Sequence, residues 1–403
     1  MSSVPSASIS RKMHGQYYTK QSIGALLVDR LKNQEVQTAI EFGVGRGALL
    51  DAVSSRWPNA KCVSVDIDPK HRRADLDRFR SHYCEDALEP DISMRIGLAP
   101  ESADVAVCNP PFITCAWRPG FERILARAGM LPKHTVSGFS ADILFLAQNL
   151  WMLRSKGQLG IIVPSGIISG ERSRHVRDWL LERHSISEVI ELPPGTFAGT
   201  EVKAFVLCLT KDNSTRARIV LRRINSEGVA SQGLRITQQE ASFRLDYSHY
   251  KAGYRNLAEE MPISKRSLEV GRGSIGANVA KATGIDFLHT TDIASSSFRA
   301  LRLGQTSTKS HGEHLTAKAG DVIIARVGRD FYKKIALVER GESVISDCLF
   351  ALRSNQYSAA QIYKALTSDA GQHWLDANSR GACARFITKS DLERFPLKEI
   401  LER

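Results

Sequence analysis

The sequence predicts an α/β protein of two domains: a mostly parallel sheet with helices on both faces, then a mixed, β-rich α+β domain. Three observations carry this. At 403 residues the chain exceeds what one hydrophobic core usually serves. Between about residues 20 and 225, short strand-like runs alternate with helical patterns, as βαβ units require. Past Asn225 a polar stretch leads into shorter strands and more turns. The expected division is a serine-rich tail at 1–14, a first domain at 15–225, a linker at 226–245 and a second domain at 246–403.

The elements follow in order. Ile23, Leu26, Leu27 and Leu31 recur at helical spacing, so a helix follows the tail. Strands are expected at 39–42, 62–67, 105–108, 158–163, 187–192 and 203–209, rich in valine, isoleucine and leucine. A helix at 142–153 should end at Lys156 and Gly157, a basic last turn followed by a capping glycine. In the second domain, 321–327, 334–339 and 344–352 read as a β-meander turning at Gly328 and Gly341, and a helix is expected over 359–377.

Lysine and arginine total 55 against 43 acids, a formal charge of +12 that favours a polyanionic partner. No amphipathic basic helix or lipidation signal points to a membrane surface. The tail lacks the apolar core of a signal peptide, and no run approaches the roughly 20 residues that span a bilayer, so a cytoplasmic protein is expected. The seven cysteines are scattered without a C-x-x-C pair, which predicts reduced packing thiols and neither disulfides nor a metal site.

Two motifs carry chemistry. Glu41-Phe42-Gly43-Val44-Gly45-Arg46-Gly47 follows a strand and precedes a helix, and its glycines let a ligand lie against bare backbone. About twenty residues on, Val65-Asp66-Ile67-Asp68 sets a carboxylate at the next strand end, where it can accept from ribose hydroxyls; Asp86 can accept from an adenine amino group. The second motif is Asn109-Pro110-Pro111-Phe112, which ends an apolar strand. Consecutive prolines stiffen the turn and turn the carbonyls of Asn109 and Pro110 outward. The Asn109 side-chain oxygen and the Pro110 carbonyl would together hold both hydrogens of a conjugated amino group and aim its nitrogen at a methyl donor. Phe112 would stack on a base swung out of a helix.

At these residues the chain resembles the gamma-class, TaqI-like adenine-N6 DNA methyltransferases. The resemblance implies a Rossmann-like class I fold for the first domain and S-adenosylmethionine as cofactor. It implies that Tyr18 and Thr19, in the segment Gly15-Gln16-Tyr17-Tyr18-Thr19, meet that cofactor, as do Glu41, Gly43, Gly45, Gly47, Asp66, Ile67, Asp86, Ala87, Asn109 and Phe145. It gives Asn109, Pro110, Pro111 and Phe112 the catalytic role. Phe197, in Thr196-Phe197-Ala198-Gly199-Thr200-Glu201-Val202, takes the place of an aromatic residue that packs on the flipped base. Lys20 stands where the family usually has proline, Arg46 interrupts the glycines, and Asp142 lies closer to Phe145 than the pattern has it. The second domain resembles the target-recognition domains of type I restriction specificity subunits over segments 272–276, 319–323 and 384–387. Arg272, Lys281, Arg299, Arg302, Arg326, Arg329, Lys333 and Lys334 are its candidate phosphate contacts, with one or two arginines reading guanine edges.

The expectation is therefore a monomeric enzyme that methylates adenine in double-stranded DNA beside a separate restriction endonuclease. Two rivals share parts of the pattern: a methyltransferase acting on RNA adenine or a protein glutamine amide, and a DNA-specificity protein whose methylase domain is dead. Intact Asn109 and Gly45 speak against the second.

Overall fold

Among the described residues, eleven strands punctuate the first part of the chain, and nine of them hydrogen-bond into one sheet. They are β1 (Thr38–Phe42), β2 (Lys61–Asp66), β3 (Arg80–Cys84), β4 (Ala103–Cys108), β5 (Thr114–Ala116), β6 (Gly138–Ser140), β7 (Leu153–Pro164), β8 (Ser185–Glu191), β9 (Ala204–Thr210), β10 (Ile219–Arg223) and β11 (Leu234–Ile236). The structure is a computed structural model that describes residues 17–71, 80–130, 138–197, 202–214, 217–251, 267–293, 300–304, 314–381 and 384–402. It divides into two units, Met1–Tyr247 and Ser248–Arg403.

The large sheet runs β11-β10-β8-β9-β7-β4-β1-β2-β3. β1 lies parallel to both β2 and β4, whereas β9 is antiparallel between β7 and β8. The chain thus builds outward from β1 toward β3 on one side and later toward β7 on the other, which puts a topological switch point between β1 and β4. This is the Rossmann-like α/β architecture expected. β4 is buried along its whole length, as a strand covered on both faces must be. Its one charge, Asp104, ties strand starts together: Oδ2 accepts from the amides of Gln37 (2.8 Å) and Thr38 (2.9 Å), and Oδ1 from Arg154 (2.5 Å). Burial opposes ionisation there, but the Arg154 guanidinium and the two amides outweigh it and hold the carboxyl below its usual range.

The described residues of the unit also form helices α1 (Gln21–Asp29), α2 (Ala48–Arg56), α3 (Ile92–Arg95), α4 (Pro119–Arg127), α5 (Ala141–Met152), α6 (Ser165–Ser169), α7 (Arg174–Arg183) and α8 (Gln238–Phe243). α1 presents Leu27 and Val28 to a core shared with Leu49, Val53, Val105 and Val107. α5 is apolar on nearly every side and correspondingly buried, from Ala141 to Leu150.

Four expectations need correction. Residues 226–245 are not a linker: β11 pairs antiparallel with β10, and α8 follows with a capping box at Thr237 and Glu240, so the division falls at Tyr247. α5 ends at Met152, not at Gly157, because Leu153 is already extended (ψ 135) and β7 begins there. In the second unit, β12 (Glu269–Arg272), β13 (Phe287–Leu288), β14 (Ala300–Arg302), β15 (Thr316–Lys318), β16 (Val322–Ala325), β17 (Ile335–Arg340), β18 (Glu342–Ile345) and β19 (Leu349–Arg353) form two sheets, β12-β19-β16-β17-β14 and β13-β18-β15. Segment 344–352 is therefore two strands in different sheets, and β19 pairs with β16, so the expected meander does not exist. Finally, 359–377 is two helices, α9 (Ala359–Thr367) and α10 (Asp369–Asn378). Ser368 adopts an extended ψ of 157 and caps α10 through Gly371 N (3.1 Å). Trp374 and Leu375 of α10 join Ile323, Phe350 and Phe331 in this unit's own core.

Candidate active site

Strand register assembles the site. Phe42 of β1 faces Val65 of β2 and Cys108 of β4, so the residues that follow, Gly43, Asp66 and Asn109, arrive together where the three strands end. There the chain turns sharply: Gly43, Gly45 and Gly47 have φ of 76, 51 and 82, left-handed values that strain any other L residue. The amide of Gly43 donates to Val65 O (2.8 Å) and that of Gly45 to Asp66 Oδ2 (2.8 Å), closing the turn on β2, while Gly47 opens α2.

Beside this turn is a cavity of about 230 Å³. Of the residues the sequence singles out, Tyr18, Thr19, Glu41, Gly43, Gly45, Asp66, Ile67, Asp86, Ala87, Asn109, Pro111 and Phe145 line it; Gly47, Pro110, Phe112 and Phe197 do not. Three carboxylates, Glu41, Asp66 and Asp86, thus meet one cavity, Glu41 and Asp66 otherwise buried and Asp86 partly so. Phe145 reaches it from the second turn of α5, near Gly43, where an added Cβ would lie 3.7 Å from the ring. Asp142, one turn earlier, is buried, accepts the Ser140 hydroxyl, and has its carboxyl pushed up by burial.

The Asn109 amide is held in one orientation. Its Nδ2 donates both hydrogens, to Tyr17 O (2.7 Å) and to Thr19 Oγ1 (3.0 Å). Oδ1 is buried and has no hydrogen-bond partner among the described residues. A buried acceptor left without a donor costs roughly 1–3 kcal/mol, so its persistence at the end of β4 marks a place for a ligand donor. Three aromatic rings pack on one another. Phe112 packs against Tyr17 (centroids 5.7 Å apart) and meets Phe197 edge-on (6.2 Å, 89°), and Tyr17 also reaches Phe197 (6.3 Å). Phe197 itself is buried in the core with Ile190 and Leu192.

Several lining residues carried no signal in the sequence. His71 Nδ1 stands 3.1 Å from Asp66 Oδ1, and its Nε2 is 3.2 Å from the Tyr18 hydroxyl. Arg46, set between glycines, stacks over the Tyr18 ring at 4.5 Å. Arg118 donates to Asp86 Oδ2 (3.0 Å). Such pairs depend on tertiary approach, which the local sequence does not encode. Gly15, Gln16, Ala198, Gly199, Thr200 and Glu201 of the family-like motifs, with Arg299 and Cys383, lie outside the described residues. In the second unit most of the remaining singled-out cations are engaged: Arg302 with Glu339 (2.9 Å), Arg326 with Asp347 O (2.8 Å) and Lys334 with Thr290 O (2.8 Å). Among the described residues no cluster of His, Cys, Asp and Glu is arranged to hold a metal, and no helix is long and apolar enough to cross a membrane.

Residues 72–249 match the family described as N-6 DNA Methylase. Among solved structures, the type IIG restriction endonuclease BpuSI superposes over 98% of this chain and 61% of its own, with TM-score 0.52 and 11% identity, a likeness of fold. The methyltransferase subunit of a type I restriction-modification system from Streptococcus thermophilus matches at 18% identity over 63% of this chain and 57% of that one, TM-score 0.45. A modification subunit of a putative type I restriction enzyme from Vibrio vulnificus YJ016 matches at 16% identity, covering 55% of this chain and 51% of that one, TM-score 0.42. The chain spans about half to three-fifths of the length of these proteins.

Proposed function

We propose that this chain is a site-specific DNA methyltransferase that modifies the N6 amino group of adenine in duplex DNA, a reading supported by the match of residues 72–249 to the N-6 DNA Methylase family. One observation carries the reading: the Asn109 amide spends both N–H donors on Tyr17 and Thr19 and leaves Oδ1 as a buried acceptor without a partner, on a residue that lines the cavity of Gly45 and Asp66.

The cofactor of this family and fold is S-adenosylmethionine, and the site residues fit it. A cationic ligand suits a cavity with three carboxylates, and the left-handed glycine turn leaves backbone uncovered where a side chain would stand. Asp66 would take the ribose, Asp86 and Ala87 the adenine, Glu41 the ammonium group, and Phe145 the wall near Gly43. When bound, the group supplies a methyl already activated on sulfur, so no covalent enzyme intermediate is required.

The protein's task is then position. An adenine amino lone pair is delocalised into the ring, so the nitrogen is a poor nucleophile; Asn109 Oδ1 and the Pro110 carbonyl, accepting its two hydrogens, favour a pyramidal nitrogen. Bound S-adenosylmethionine would supply the methyl group to that nitrogen, whose surplus proton would pass to solvent. Because the amino group is out of reach in a stacked duplex, the base must be extruded, and Phe112 with Phe197 is the aromatic pair set to receive it once the rings part. The second unit would select the sequence, and the setting would be a restriction-modification system with a separate endonuclease.

The test is transfer of labelled methyl from S-adenosylmethionine to duplex DNA, with transfer RNA and protein as competing acceptors. N6-methyladenine in DNA is the expected product, and Asn109→Ala should lower kcat by about 10²–10³-fold or more while cofactor binding survives. Label in RNA or protein alone, or undiminished transfer by Asn109→Ala, contradicts the reading.

A further inference from the structure

The segment downstream of the tetrapeptide contributes a charge that no motif covers. After β5 the chain passes through Arg118, the residue before α4, whose guanidinium donates to Asp86 Oδ2 at 3.0 Å and approaches Glu89 at 3.6 Å. The same group lies over the Phe121 ring at 4.7 Å, which fixes its plane from the α4 side. Arg118 lines the cavity together with Asp86, Ala87, Leu88, Ile113 and Cys115, and its side chain is 46% exposed, so it spans from cavity to solvent. Asp86 Oδ1 is already fixed by the amide of Leu88 (2.9 Å). With one oxygen on backbone and the other on a guanidinium, the carboxylate is locked in orientation, yet each oxygen keeps a second lone pair for a ligand amino group.

We propose that Arg118 is a positioning residue for the cofactor: it clamps Asp86 at the adenine end of the cavity. This rests on reading the cavity as the S-adenosylmethionine site. The clamp also has a mechanical side. β5 pairs with β6, and the amide of Ala141 at the start of α5 donates to Ile113 O (2.9 Å), so the stretch between Asn109 and Arg118 is tied to the helix that carries Phe145. The Arg118–Asp86 contact therefore helps fix the wall where the tetrapeptide ends and the Phe145 helix begins.

The experiment is calorimetric titration of the full chain with S-adenosylmethionine and with 5′-methylthioadenosine, which keeps the adenosine part and lacks the amino acid. Arg118→Ala should raise Kd for both ligands by a similar factor, about two- to fivefold for one partly exposed charge-assisted contact. Arg118→Lys should recover part of the loss. In steady state, KM for the cofactor should rise while kcat at saturation holds, a split that general destabilisation would not give. The double variant Asp86→Asn with Arg118→Ala should bind no worse than Asp86→Asn alone, since the pair acts as one unit. Unchanged affinity in Arg118→Ala, or a loss confined to S-adenosylmethionine, overturns the assignment; additive losses in the double variant do so as well. If the unaltered chain binds neither ligand, it is the reading of the cavity that fails, not the clamp alone.

Discussion

At the scale of single residues, orientation outweighs inventory. Asn109 matters because two acceptors on the 17–19 segment exhaust its donors, and Thr19 supplies one of them. Resemblance to a motif implies a cofactor contact for Thr19; the structure adds a hydrogen bond to the Asn109 amide. Thr19→Val keeps the shape and removes that acceptor, which strands one buried N–H and frees the amide to rotate. A stranded donor of this kind is worth roughly 1–3 kcal/mol, so kcat should fall about tenfold to a hundredfold at saturating cofactor, and Thr19→Ser should restore it. A change confined to cofactor Kd, with kcat untouched, would leave Thr19 as a binding residue only. The glycine turn and the tetrapeptide were legible in sequence because glycine and proline limit the backbone locally, whatever surrounds them. Tyr17, His71 and Arg118 were not, because their roles arise from residues brought close by the fold, 92 apart for Tyr17 and Asn109 and 32 apart for Arg118 and Asp86.

Among elements, periodicity located strands and helices well and misjudged where they stop. β1, β2 and β4 follow the apolar runs because each is covered on both faces. The break between α9 and α10 at Ser368 and the jump of 344–352 from one sheet to another leave the apolar pattern intact, so pattern alone reads through them. One junction invites a test. His184 follows α7 and precedes β8; its ring is 4% exposed, meets Trp179 edge-on at 4.9 Å, and accepts the Asp212 amide on Nδ1 (3.1 Å). Burial drives its pKa down from 6.5 to about 4, and Lys211 and Arg183 push the same way against Asp212. The unfolded chain therefore takes up this proton first as pH falls. Stability held above pH 6.5 should be lost progressively toward pH 4, by on the order of 3 kcal/mol in full. Melting temperatures measured across that window should fall for the unaltered protein and fall less for His184→Gln; parallel curves would remove His184 from the account.

For the whole molecule, the two units carry separate cores, one built on the nine-stranded sheet and one around Ile323, Phe350 and Trp374. Among the described residues, those that line the cavity fall between Tyr17 and Phe145, all in the first unit. Residues 226–245, which composition marks as a tether, belong to that unit: β11 extends its sheet, and the buried Arg177 donates to the carbonyls of Ser242 (2.9 Å) and Phe243 (2.8 Å) at the end of α8. Cutting at residue 225 would strip a sheet strand and leave that buried guanidinium short of acceptors, whereas a cut after Tyr247 follows the division of contacts. A fragment ending at residue 247 should thus melt cooperatively and bind S-adenosylmethionine within about twofold of the full chain, while one ending at 225 should not fold. If the second unit supplies DNA selection, the longer fragment should also lose most duplex affinity and the part of its salt dependence owed to phosphate contacts in that unit. Calorimetry with the cofactor and duplex binding at two salt concentrations decide the matter. A 247-residue fragment that folds yet cannot bind cofactor would show that the first unit alone does not make the site, and one that binds duplex as tightly as the full chain would remove the second unit from recognition.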